Sequence, residues 1–207
     1  TIIDIGANLG YFSLTFSKLI NQKGALYSIE PVKPYRELLE KKMCKRSNIF
    51  ILSFALGDHN ETSINLGIPP MLRHFKYLRH GTVTVLSKEK TEEGQLLFES
   101  AMRKAGDVFS AFTKIDYIKC DIEGYEAVVM PEIKDALVKH KPLVQLETWG
   151  EQLPVMLQLF ESLGFNAYHL KNGKLFDAKT LDIQTISSSD ILFVHADKQK
   201  IISPYLA

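Results

Sequence analysis

The sequence predicts an α/β fold: a mostly parallel sheet of about seven strands with helices on both faces and one antiparallel strand near an edge. Three observations carry this reading. Short apolar runs rich in strand formers alternate with segments of helical spacing. The chain opens on a strand, a glycine loop and a helix in succession. Two late strands, "FNAYHL" and "DILFVHA", have no helix long enough between them to form a parallel crossover.

Each element follows from local chemistry. Ile2, Ile3 and Ile5 make the first strand, Gly6 breaks it, and Gly10 closes the loop. Tyr11, Phe12, Leu14, Leu19 and Ile20 then recur at helical spacing, and "NQKG" stops the helix with Gly24 expected in the left-handed conformation. "ALYSIE" is a second strand ending at Glu30. Pro31 and Pro34 open a helix over 33–46. "NIFILSFAL" reads as one third strand closed by Gly57-Asp58, and "TSINL" as a short further one. Residues 67–114 show the least periodicity and are expected to form an irregular insertion over the active-site end. Within it, "QLLFESAMRKAGDVFSAF" fits either helix or strand plus turn.

Regularity returns with a strand from Ile115 to Asp121 and a helix from Gly124 to Lys139. "PLVQLETW" is a strand ending at Glu147, and residues 151–164 form an amphipathic helix stopped by Gly164. "KNGK" makes a hairpin-like turn between "FNAYHL" and a short "LF" segment. The chain has 207 residues, 45% of them hydrophobic, which suits one domain spanning 1–207. It enters a core strand at Thr1, so an N-terminal part of the native chain is expected to be absent.

Composition narrows the function. A net charge of +1 offers no basic field for nucleic acid. No apolar run approaches the roughly 20 residues of a membrane span. Two cysteines, Cys44 and Cys120, suit a reducing compartment, and no signal peptide is visible. A cytoplasmic location is therefore expected.

In a doubly wound sheet, ligands bind beyond the carboxyl ends of the strands. Those ends carry Asp4 with the glycine loop, Glu30, Asp58, Asp121 with Glu123, and Glu147. One such carboxylate is ordinary helix capping. Several on one rim repel one another unless a cation or hydrogen bonds compensate. Glu30 lies 20 residues past Gly10, the placement that suits hydrogen bonds to ribose hydroxyls. The loop discriminates between ligands. A dinucleotide fingerprint has a glycine where this chain has Asn8, and Asp4 before the loop repels a pyrophosphate. A carboxylate there favours a ligand carrying ammonium and sulfonium charge, as S-adenosyl-L-methionine does.

"IIDIGANLGYFS", "SIEP", "FALGD", "IDYIKCDIEGYE", "VQLE" and "SLGFNAYHL" occur in the order seen in FkbM-type methyltransferases, and the chain resembles that family from Thr1 to about Asp197. The resemblance implies a Rossmann-like class I methyltransferase fold and S-adenosyl-L-methionine-dependent transfer, mostly to oxygen, of a sugar or natural-product-like small molecule. It implies that Asp4, Gly6, Ala7, Asn8, Gly10 and Pro31 bind the cofactor, with Glu30 at the ribose and Asp58 near the adenine. The family's threonine-leucine-aspartate turn before the fourth strand is matched here only by Asp107 in "KAGDVF", which favours strand and turn near 96–107.

An alcohol acceptor needs its proton removed, so a base is sought beside the transferred methyl group. Asp121, at the end of the central strand, is the first candidate, Glu123 the second and Glu147 the third. These carboxylates could instead hold a divalent cation, but no fixed ligand spacing supports one and no metal is expected. Glu126 reads as a first-turn dipole partner and Cys120 as core. Phe12 is expected in the core, while Tyr11 and Trp149 could flank a ligand. His74 and His80, with the basic cluster Arg73, Lys76 and Arg79, fall in the irregular segment over the acceptor pocket. Two rival readings remain: a nicotinamide-dependent oxidoreductase, and a nucleoside-binding domain without chemistry. The expected partner is a small-molecule acceptor, with neither nucleic acid nor membrane. The acceptor's identity and the oligomeric state are not legible in the sequence.

Overall fold

The computed structural model describes residues 1–68, 84–86, 96–180 and 190–207. The main sheet is built from β1 (Ile2–Ile5), β2 (Leu26–Ile29), β3 (Ile49–Leu52), β8 (Tyr117–Cys120), β9 (Leu143–Glu147), β10 (Phe165–Lys171), β11 (Lys174–Asp177) and β12 (Asp190–His195). Their spatial order is β11-β10-β12-β9-β8-β1-β2-β3. The run from β9 to β3 is parallel, and β12 is inserted antiparallel between β9 and β10. The sheet has eight strands where about seven were expected. The extra one is β11, which the Asn172-Gly173 turn folds back on β10; both turn residues have positive φ.

Alternation along the strands creates two unlike faces. Ile3, Ile118, Val144 and Phe193 lie in register and are fully buried against α3 (Ala105–Ser110), α4 (Glu126–Glu132), α5 (Lys134–His140) and α6 (Gln152–Ser162). Cys120 lies in this core, as expected. On the opposite face the register places Ser28, Asp4, Lys119 and Gln145 side by side. Here α1 (Tyr11–Leu19) and α2 (Lys33–Met43) pack on β1–β3, and α7 (Gln199–Ile202) sits near β12. No helix among the described residues is long and apolar enough to cross a membrane.

Several boundaries differ from expectation for physical reasons. "NIFILSFAL" is two strands: Ser53 separates β3 from β4 (Phe54–Gly57), which leaves the main sheet. β4 joins β5 (Glu61–Ile68), β6 (Thr84–Leu86) and β7 (Leu96–Lys104) in a second sheet of order β4-β7-β5-β6. The described parts of 67–114 are thus regular strand and helix, with β7 followed by α3 at "AGDVFS". Hydrophobic alternation along β7 is weak because much of it is exposed, which hid its period. The helix expected over 124–139 is broken at Ile133 into α4 and α5, behind Pro131. Gly24 does not take the left-handed conformation; α1 ends at Leu19, and an extended Ile20 donates its N–H to Phe16. Residues 73–80, with His74, His80 and the Arg73–Lys76–Arg79 cluster, lie outside the described residues.

Candidate active site

A cavity of about 690 Å³, counted with its open mouth, sits where the parallel strands end. Gly6, Asn8, Glu30 and Pro31 line one side, Asp121, Glu123 and Tyr125 another, and the second sheet closes the wall with Phe54, Leu56 and Leu66.

The glycine loop is shaped by its own packing. Gly6 has φ +76°, and a Cβ on it would stand 1.9 Å from the Asp121 carbonyl oxygen. The β1 loop is therefore pressed directly on the end of β8, and only glycine fits. Asn8 also has positive φ, at 51°, a conformation its short amide tolerates better than most side chains. Its Oδ1 accepts from the Leu9 N–H at 2.7 Å. Gly10 is tight against Leu39.

Glu30 is fixed by backbone donors. Its two carboxylate oxygens accept from the N–H groups of Asn8 at 2.7 Å and Val32 at 2.8 Å. Burial pushes its pKa up to about 7 against the pull of those bonds. Each oxygen keeps lone-pair capacity for a further donor on the cavity side.

The β8 end is arranged differently. Lys119 is 2% exposed, and its Nζ lies 2.9 Å from Asp121 Oδ2 and 4.4 Å from the centre of the Phe12 ring. Burial opposes ionisation of Asp121, but Glu147, which hydrogen bonds it, and Lys119 hold it below the ordinary carboxylate range. Glu123 is raised to about 7 by burial and then by the charges of Asp121 and Glu126. Its φ is +54°, a left-handed conformation that costs a non-glycine residue about 1–3 kcal/mol.

The expected site residues are only partly brought together. Gly6, Asn8, Glu30, Pro31, Asp121 and Glu123 line the cavity. Glu147 does not line it but reaches it through Asp121. Asp4 is 1% exposed behind the loop, where its Oδ2 accepts from Ser13 Oγ at 2.5 Å and burial raises its pKa to about 6. Asp4 therefore supports the loop from beneath and does not line the cavity. Ala7 packs with Leu39 and Met43, and Gly10 is likewise off the cavity wall. Asp58 stands one residue past β4, exposed beside His59 Nδ1, and does not line the cavity although Phe54 and Leu56 of that strand do. Phe12 is 41% exposed over Lys119 and is not a core residue.

Glu126 stands in the first turn of α4, as expected, while Lys119 is a site residue not singled out from the sequence. Glu126 is fully buried and accepts from the N–H groups of Ile122 at 2.7 Å and Gly124 at 2.9 Å. Lys119 alternates in register with Asp121 on one strand face, a signal the sequence did contain.

Residues 4–167 match the Methyltransferase FkbM domain. The chain belongs to the FkbM methyltransferase family. Among solved structures it is similar to methyltransferase FkbM from Methylobacillus flagellatus KT, at 13% identity and a TM-score of 0.59, covering 94% of this chain and 43% of that one. This chain thus spans less than half of that relative. Weaker similarity is found to a SAM-dependent O-methyltransferase from Thermotoga maritima, at 11% identity and TM-score 0.45, covering 94% and 58%. Aeropyrum pernix fibrillarin with bound S-adenosyl-L-methionine gives 11% identity and TM-score 0.46, covering 93% and 65%. No curated protein matches. The fold is the Rossmann-like class I methyltransferase fold, with the inserted antiparallel strand in the expected place.

Proposed function

We propose that this FkbM-family chain is an S-adenosyl-L-methionine-dependent methyltransferase acting on a hydroxyl oxygen of a carbohydrate or similar small molecule. The observation that carries the reading is one cavity with Glu30 on one side and the Asp121–Glu123 pair on the other. The residues fit the cofactor. Ile29, Phe54, Leu56 and Leu66 offer apolar walls for a purine, and the spare lone pairs of Glu30 suit ribose hydroxyls. The acidic β8 end suits a cationic amino acid and sulfonium portion. A pyrophosphate would meet those carboxylates without a compensating basic side chain on the cavity wall among the described residues.

When bound, the cofactor supplies an electrophilic methyl group on a good leaving group. The chain's own task is then to align the acceptor, exclude water and take one proton. Asp121, ionised and held by Lys119, is a poor proton acceptor near neutral pH. Glu123, raised to about 7 and lining the cavity, is the better one. We assign it the role of base: the Glu123 carboxylate would take the acceptor O–H proton, while the methyl carbon would leave sulfur, released as a neutral thioether, for the acceptor oxygen. Asp121 and Glu147 shape the charge around it.

Calorimetry with S-adenosylhomocysteine and with NAD tests the cofactor, and labelled-methyl transfer to a glycan panel tests the chemistry. Binding of the homocysteine compound alone, with label on a glycan, is expected. Tight NAD binding in its place would overturn the reading in favour of an oxidoreductase. Cofactor binding without transfer to any glycan or small-molecule hydroxyl would leave a binding domain.

A further inference from the structure

Glu123 and Gly124 are consecutive residues with positive φ, +54° and +97°. A side-chain-bearing residue holds that backbone only where its surroundings over-determine it. Glu126 supplies part of the constraint by accepting the Ile122 and Gly124 N–H groups. The rest comes from a different part of the chain. Gln152, the first residue of α6, donates from Nε2 to the Gly124 carbonyl at 2.8 Å. Both polar groups of Gly124 are therefore held, its N–H by α4 and its C=O by α6.

We propose that Gln152 is a positioning residue: its side-chain amide staples the Ile122–Gly124 turn to α6 and so keeps Glu123 facing the cavity. This rests on the reading of Glu123 as base. The choice of glutamine makes physical sense here. Asp121, Glu126 and Lys119 are the charged groups acting on Glu123. A lysine or arginine could grip the same carbonyl, but its charge would hold Glu123 ionised and weaken it as a base. An amide donates a hydrogen bond and leaves that balance untouched.

The test uses the whole chain labelled with ¹³C at glutamate carboxyls, with the Glu123 signal assigned by its loss in Glu123→Gln. In the native protein Glu123 is expected to titrate at about 7. Gln152→Met keeps volume and neutrality but loses the donor. Its Glu123 midpoint should fall by about one unit or more toward the ordinary glutamate value of about 4.3, as the turn relaxes and the carboxylate meets water. Gly124→Ala, which strains φ +97° from the other side, should move it the same way. Exchange of the Gly124 N–H should be roughly five- to tenfold faster in Gln152→Met. An unchanged midpoint and unchanged exchange in Gln152→Met would overturn the proposal and leave Gln152 a packing residue. A native midpoint near 4.3 would overturn Glu123 as base, while the exchange rate would still decide the staple.

Discussion

Glu30 and Glu123 are both glutamates at the edge of one cavity, and both are pushed up to about 7. Burial is the largest cause of both rises, and the other forces on the two groups differ. Glu30 follows β2 and is gripped by two backbone N–H groups that pull its pKa down, so its geometry is fixed and its oxygens serve as acceptors. Glu123 follows β8 on a left-handed turn, and among the described residues no hydrogen bond to its carboxylate is present; its rise comes from burial and from neighbouring carboxylates. A carboxylate held by donors is suited to binding. One held only by its backbone and by like charge is suited to exchanging a proton. The two ends of the cavity are thus chemically distinct despite their shared residue type.

The harshest way to break the comparison is to separate the two ends. Gly6→Val places a side chain against the Asp121 carbonyl and demands φ +76° of a β-branched residue. The expected cost is on the order of 4 kcal/mol, seen as a large drop in thermal midpoint with loss of S-adenosylhomocysteine binding. A stable variant that still binds would mean the loop and β8 are not coupled.

Next in size is the proton-transfer end. Glu123→Gln should lower turnover on an active acceptor by about a hundred- to ten-thousand-fold, with cofactor affinity nearly unchanged. Asp121→Asn should cut turnover less and lower stability more, since it weakens the partner of a buried lysine. If Asp121→Asn alone abolishes turnover, the base belongs on Asp121 and the contrast collapses.

The binding end should show the reverse. Glu30→Ala should weaken S-adenosylhomocysteine binding roughly tenfold to a hundredfold through lost charge-assisted hydrogen bonds, as calorimetry would read. Affinity equal to native would move the nucleoside away from β2.

Stability against pH should carry the mark of both ends. Asp4 and Glu30 have folded pKa values of about 6 and about 7, above their ordinary values of 3.8 and 4.5. The folded state binds more protons between those values, so their contribution is full below about pH 4 and is lost as pH rises to about 7. Asp121 and Asp116 are shifted downward, and their contribution is lost only as pH falls below about 4. Glu123, raised to about 7, acts in the same direction, so stability is expected to fall from about pH 4.5 to 7, and Glu30→Gln should make the fall shallower. An unchanged slope in that variant would show that Glu30 ionises normally in the fold.

The sequence alone determined the alternation of strands and helices in the main sheet, the antiparallel late strand and the acidic strand ends. These depend on local period and on glycine and carboxylate spacing, which a linear chain displays. Gly6, Asn8, Glu30, Asp121 and Glu123 were legible because they sit at strand ends, where a parallel sheet must place its ligands. The tertiary structure decided what surrounds each carboxylate. Asp4 and Asp121 stand at the ends of adjacent strands, yet one lies behind the glycine loop on Ser13 and the other opens to the cavity beside Lys119. Asp58 looked like part of the same rim, but it stands one residue past β4, exposed beside His59, and does not line the cavity. Gln152 lies 28 residues from Gly124 in the chain, with β9 between them, and only folding brings its amide to that carbonyl. Local pattern fixes which residues reach the end of a strand; the depth of burial and the partner met there are set by segments far away in sequence, and those two quantities decide whether a carboxylate binds, supports or accepts a proton.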